Sequence, residues 1–234
     1  MFEIVLSGPG KNSLGTTMME HLLAKLGEAG GRPILVTGEG NTFSAGLDLK
    51  EVAASDASQM ERFLDRLVRL MDAWYTYPGP TVALLNGHAI AGGTVLALTC
   101  DYRVAANDPK ARIGLNEVAL GLRFPPSLLT LARRRLPPQH FDTVILGAKL
   151  HAPAEALRLG LVDEVADDAR AVAERVLGEL AAHPAPAYAS AKKELRPSFM
   201  DERAERAFLS DGLAAWTSPE LKAMTGRMLT RAAK

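Results

Sequence analysis

The sequence predicts an α/β fold with helices flanking the sheets and a helical C-terminal region. Three observations carry this. Short, almost purely apolar runs of the kind buried on both faces of a sheet, PILVT at 33–37 and TVALL at 81–85, alternate with helical patterns through the first two thirds. Each of these runs empties into a glycine-rich loop. From about Asp168 onward only helical periodicity remains. A chain of 234 residues, 47% hydrophobic, is long enough to bury a sizeable core in one large domain or in one domain with a small appendage.

Taken in order, residues 2–6 alternate in polarity as a strand does and stop at Ser7-Gly8-Pro9-Gly10. Residues 16–26 place Met18, Met19, Leu22, Leu23 and Leu26 on one helical face. The strand at 33–37 follows, then the loop GEGNTFSAG at 38–46. Ser55 or Asp56 caps a helix whose stripe runs Met60, Phe63, Leu64, Leu67, Leu70, Met71, Trp74, and Pro78-Gly79-Pro80 ends it. After the strand at 81–85 the loop NGHAIAGG opens a helix reaching to about Cys100. Strands are expected at 102–105, 111–115 and 161–165, with a short helix at 152–159 before the last. The strand–loop–helix unit recurs loosely at 33–75 and 81–100.

Composition excludes several functions. Lysine plus arginine and aspartate plus glutamate number 27 each, which leaves no electrostatic footprint for nucleic acid and no attraction to acidic membranes. The basic clusters Arg133-Arg134-Arg135 and Lys192-Lys193 read as solvated helix faces, with phosphate contact as the alternative. A single cysteine, Cys100, permits neither an intramolecular disulfide nor a thiolate zinc cluster, and the five histidines lack metal spacing. No metal site is expected. The apolar window 81–100 contains Asn86, His88 and three glycines, which suit a strand, a loop and a helix start rather than a membrane span. MFEIVLSGPG has none of the features of a signal or transit segment, so a cytoplasmic setting is expected.

The two glycine loops are the candidate chemistry. Gly46 permits a backbone geometry that presents the Leu47 N–H outward, and Gly92-Gly93 opens a helix whose first N–H groups are free. Two such donors converging from separate loops form an oxyanion hole. Spacing alone equally fits two tight turns in an α/β core. Gly38-Glu39-Gly40 begins a dinucleotide fingerprint, but Phe43 stands at its last position.

Four ordered segments together are more specific. FSAGLDLKE (43–51), NGHAIAGGTVLALTCDYRVA (86–105), IGLNEVALGL (113–122) and APAEALRLGLVDEV (152–165) resemble the signature of the crotonase, or enoyl-CoA hydratase/isomerase, superfamily. The resemblance implies a spiral of ββα turns over residues 1–170, with 171–234 as a helical trimerisation region, in a homotrimer or dimer of trimers. It implies an acyl-CoA thioester substrate, with CoA arriving as part of that substrate and no other cofactor. The Leu47 and Gly92 N–H groups become the oxyanion hole, with Ser44, Ala45, Gly46, Asp48, Gly93, Val95 and Asn116 around the substrate.

Hydratases of the superfamily use two glutamates. The first place is Val95 here, and the second is Glu117. Within that resemblance, LTCDYR (98–103), GLNE (114–117) and Leu47 are most similar to the Δ3,Δ2-enoyl-CoA isomerase type, in which one glutamate moves a proton from C2 to C4. Hydration, decarboxylation, thioester hydrolysis and a silent acyl-CoA-binding subunit stay open. Two departures are visible: a single short strand precedes KNSL (11–14), and LRFPPS replaces a glycine-rich stretch after Glu117, giving the pocket a different floor. Asp101 and Arg103 read as a structural polar pair, Asp48 as a turn or cap residue, and Asn116 either as an orienter of Glu117 or as a partner for backbone groups.

Overall fold

In the computed structural model, which describes residues 1–232, the chain folds as β1 (Phe2–Leu6), a single distorted turn α1 (Pro9–Asn12), α2 (Thr16–Ala29), β2 (Ile34–Gly38), β3 (Thr42–Ser44), α3 (Leu49–Ala54), α4 (Ala57–Tyr75), β4 (Thr81–Leu85), β5 (His88–Ile90), α5 (Gly92–Thr99), β6 (Tyr102–Ala106) and β7 (Ile113–Gly114). Then come α6 (Pro126–Arg135), α7 (Phe141–Ile145), α8 (Pro153–Arg158), β8 (Glu164–Ala166) and four C-terminal helices, α9 (Ala169–Ala181), α10 (Ala185–Leu195), α11 (Glu202–Trp216) and α12 (Pro219–Ala232).

The strands form two parallel sheets, ordered β1-β2-β4-β6-β8 and β3-β5-β7. Successive turns of chain contribute one strand to each sheet and then helix, so the architecture is a spiral of ββα turns. The continuous apolar runs are explained by burial on both faces. Residues 34–38 and 81–85 are buried throughout. Leu35, Val82, Leu84 and Val104 pack against Ala169, Ala173, Val176 and Leu177 of α9, and the opposite face joins the main core. That core also holds Phe199, Phe208, Trp216 and Leu221, so apolar packing continues across residue 170 into the C-terminal helices.

Helix ends follow local chemistry. Asp56 accepts from Gln59 N–H while Gln59 reaches back to the Asp56 N–H, a full capping box on α4. Asp48 accepts from the N–H groups of Lys50 and Glu51 and starts α3, a helix not expected from the sequence, between the loop at 38–46 and the helix capped by Asp56. Elsewhere the strand at 111–115 shrinks to two residues, the strand at 161–165 moves to Glu164–Ala166, and residues 42–44 and 88–90 pair as short strands instead of staying loops. The β3-β5-β7 strands are too short to show a period of their own; only their mutual pairing defines them.

The basic clusters are corrected. Arg133, Arg134 and Lys193 are exposed, but Lys192 and Arg135 turn inward. Lys192 Nζ lies 2.8 Å from Asp101 Oδ2, with side-chain exposures of 5% and 9%. Asp101 also receives Arg196 at 3.0 Å, the Tyr188 hydroxyl at 2.9 Å and the Thr81 N–H at 2.7 Å. Arg135 donates to the Leu98 and Cys100 carbonyls. Arg103 pairs with Asp163 at 2.7 Å, not with Asp101. The reason is tertiary: Lys192 and Asp101 are 91 residues apart, and no local rule relates them.

A buried ion pair is costly to break from one side. Asp101→Ala is expected to destabilise the fold by about 3–5 kcal/mol in urea denaturation, because Lys192 and Arg196 lose their shared partner. Asp65→Ala, which breaks the exposed Asp65–Arg69 pair on α4, is expected to cost less than about 1 kcal/mol.

Candidate active site

The smaller sheet brings the site together. β3, β5 and β7 lie side by side and parallel, with Ser44 against Ala89 and Ile90 against Gly114. Their carboxyl ends therefore release three segments at one edge: Ala45-Gly46-Leu47, Ala91-Gly92 and Leu115-Asn116-Glu117. Carboxyl ends of parallel strands are where open α/β sheets place ligands.

The two glycine loops touch directly. Gly46 has φ of 92°, and a Cβ there would sit 2.7 Å from the Ile90 carbonyl oxygen. A Cβ on Gly93 would lie 2.6 Å from the Ser44 carbonyl oxygen. Neither position admits a side chain without backbone movement. Leu47 forms an isolated parallel bridge with Leu14, but the bonds of that bridge are Leu14 N–H to the Gly46 carbonyl and Asp48 N–H to the Leu14 carbonyl. The Leu47 N–H is left out of the pairing. Gly92 is the first residue of α5, so its N–H is one of the four that a helix cannot satisfy itself. Ala91 before it is held at φ 50°, ψ −119°, a strained conformation for alanine. Thr94, which sequence reasoning overlooked, fastens the start of α5: its hydroxyl lies 2.6 Å from the Ala89 carbonyl oxygen and accepts from the Gly114 N–H at 3.1 Å.

One cavity collects these groups. Ala45, Leu47, Gly92, Val95, Asn116 and Glu117 all line it. Leu67 lines it as well, while Phe63, Leu70 and Trp74 of the same stripe stay in the core. Ser44, Gly46, Asp48 and Gly93 stand behind the wall rather than in it. Ser44 is fully buried and donates to the Asn12 carbonyl, Asp48 caps α3, and the two glycines make the contact between loops. Phe124 and Pro125 lie on the cavity wall, in the stretch read from the sequence as a pocket floor, and Pro126 starts α6. Trp216, Leu221, Met224 and Thr225 from α11 and α12 close the cavity. These four were not legible as site residues, since an apolar helical stripe reads as core.

Glu117 is 7% exposed. It takes the αR conformation at the entry of the 3-10 turn Val118–Leu120, where the chain leaves β7. Burial in apolar surroundings pushes its carboxyl up to about 7, only partly opposed by the backbone N–H groups of Asn116 and Glu117 itself. No cation among the described residues offsets the burial. Glu117 Oε2 and Asn116 Oδ1 are both buried without a hydrogen-bond partner. An ionisable carboxylate sharing a largely apolar cavity with two free backbone donors can remove a proton next to a carbonyl whose oxygen those donors hold. Among the described residues no group of three or more His, Cys, Asp or Glu side chains is placed to hold a metal ion, and no helix is long and apolar enough to cross a membrane.

Comparisons with known proteins identify the family. The enoyl-CoA hydratase/isomerase family profile matches residues 1–219. A putative enoyl-CoA hydratase of Thermus thermophilus is 37% identical over 194 residues, covering 79% of this chain and 75% of the relative. The mouse mitochondrial enoyl-CoA delta isomerase 1 is 37% identical over 135 residues, covering 57% of this chain and 47% of that protein. The crystal structure of human mitochondrial Δ3,Δ2-enoyl-CoA isomerase shares the fold, with a TM-score of 0.86 at 24% identity over 99% of this chain and 94% of that one. The match across nearly the whole chain, and the arrangement of its two glycine loops about one buried glutamate, make this chain a member of the enoyl-CoA hydratase/isomerase, or crotonase, family.

Proposed function

We propose that the protein moves a double bond from the 3- to the 2-position of an acyl-CoA thioester. The observation that carries this reading is the pairing of one buried carboxylate, Glu117, with Val95 at the other place where a hydratase keeps an acid, both on the same cavity. Hydration needs a water molecule held and activated; the double-bond shift needs one base that takes a proton from C2 and returns it at C4. An apolar wall keeps water from competing for that proton.

In this mechanism the Leu47 and Gly92 N–H groups hold the thioester oxygen. The C2–H bond breaks, the proton passes to the Glu117 carboxylate, and the electron pair spreads over the enolate that the two donors stabilise. Return of the same proton to C4 regenerates the carboxylate. No metal or redox group is required, and CoA enters with the substrate. A homotrimer or dimer of trimers in the cytoplasm is the setting that this reading carries with it.

A pair of absorbance assays tests it. With a 3-enoyl-CoA, conjugated enoyl-thioester absorbance is expected to rise; with a 2-enoyl-CoA, loss by hydration is expected to be slow. Rapid hydration would mean that water is activated without an acid at position 95. Silence in both assays would favour hydrolysis, decarboxylation or simple acyl-CoA binding.

Two further outcomes follow from the carboxylate. Glu117→Gln is expected to keep its circular dichroism and lose turnover by about 100-fold or more, since general-base catalysis contributes on that scale. Wild-type kcat/KM is expected to climb with pH through about 7, the value to which burial raises the Glu117 carboxyl in the free protein, because the ionised form is the base.

Stability should run the other way. The carboxyl binds its proton more tightly folded than unfolded, so its contribution to stability is present at low pH and is lost as pH rises through about 7. Glu117→Gln is therefore expected to be more stable than wild type at pH 8, by on the order of 1–3 kcal/mol, and to lose that advantage by pH 5, as read from thermal melts.

A further inference from the structure

Asn116 lines the cavity beside Glu117, and no protein group among the described residues hydrogen-bonds its side chain. It therefore does not serve to satisfy nearby backbone, one of the two roles its sequence position allows. A buried amide oxygen without a partner is unfavourable, and the next residue on the same cavity, Glu117, carries a second buried orphan, Oε2. Both are acceptors while the carboxylate is ionised.

The donors available in the cavity are few. The Thr225 hydroxyl is within 3.0 Å of the Leu221 carbonyl oxygen of its own helix. The Trp216 indole N–H donates to the Arg123 carbonyl at 3.0 Å. The Leu47 and Gly92 N–H groups point to the thioester oxygen in the mechanism above, and the Asn116 amide cannot serve its own oxygen. Among the described residues every other lining residue has an apolar side chain or none, and Glu117 is the only ionisable one. What remains is the proton that Glu117 itself carries during the reaction.

We propose that Asn116 is a positioning residue for that proton: when Glu117 is neutral its O–H donates to Asn116 Oδ1. A single proton then satisfies both orphaned oxygens at once. The turn at Glu117, where the backbone changes from β7 to αR, is what lets two consecutive residues face the same cavity instead of opposite sides. The consequence lies in the interval between the two half-reactions. The neutral acid must neither rotate away from the enolate nor lose its proton to solvent, and a fixed acceptor behind it holds the O–H until C4 takes the proton back. The inference rests on the isomerase reading for its place in the cycle, but the hydrogen bond itself requires no substrate.

The test separates the two. Infrared difference spectra between low and high pH report the carbonyl stretch of the neutral Glu117 carboxyl, assigned by its absence in Glu117→Gln. In wild type that band is expected at the position of a hydrogen-bonded acid, and in Asn116→Leu it should move to the higher frequency of a free acid. An unmoved band, or a free-acid band in wild type, overturns the proposal whatever reaction the protein catalyses, and the wild-type measurement stands even where the Leu variant does not fold. In turnover, Asn116→Leu is expected to lower kcat about tenfold, the scale of one hydrogen bond, with KM within about twofold. Wild-type kcat in a folded Asn116→Leu, or a fall in kcat with no change in the band, equally refutes it.

Discussion

The contact between two loop backbones is the constraint on which the rest of the site depends. The Gly46 turn rests on Ile90, and Gly93 rests on Ser44, at separations that exclude even a methyl group. Glycine at both positions is therefore a steric requirement rather than a sign of flexibility. That contact fixes where the Leu47 N–H lies relative to the start of α5. Because both donors are backbone groups set by packed elements, their geometry is insensitive to the side chains that carry them.

Helix α5 is held from both ends. At its start, Thr94 ties the first turn to β5 and β7, and Ala91 accepts a strained conformation to turn the chain into the helix. At its end, Arg135 donates to the Leu98 and Cys100 carbonyls, and Arg196 to the Thr99 carbonyl. Cations at a helix C-terminus complement its dipole and satisfy carbonyls that the helix leaves open. The N-terminal end of the same helix carries no side-chain cap, as the proposed oxyanion hole requires. The inward-facing basic residues thus support the site from about the length of one short helix away, with no contact to its cavity.

Two buried carboxylates in this fold have opposite surroundings, and the contrast divides their roles. Asp101 sits among Lys192, Arg196, Tyr188 and the Thr81 N–H, a fully partnered hub that docks α10 on the main sheet. Glu117 has no cation partner among the described residues, and desolvation dominates its behaviour. The first arrangement is an anchor between α10 and the main sheet. The second lets the charge come and go near neutrality, as proton transfer requires.

The sequence by itself determined the architecture class and the two glycine loops that meet at the candidate site. Runs such as TVALL required burial on both faces, the glycine loops permitted close approach of the backbone, and four ordered motifs pointed to the family. It also singled out Glu117 and Val95, because each stands in a motif. What only the tertiary structure decided was everything set by residues distant in sequence. The pairing of three very short strands, the closing of the cavity by Trp216 and Met224, the inward turn of Lys192 toward an aspartate 91 residues away, and the isolation of the Asn116 amide have no local signature. Hydrophobic periodicity reports which face of an element is buried but not what it is buried against, and a polar side chain near a site is defined by the partners it lacks as much as by those it has.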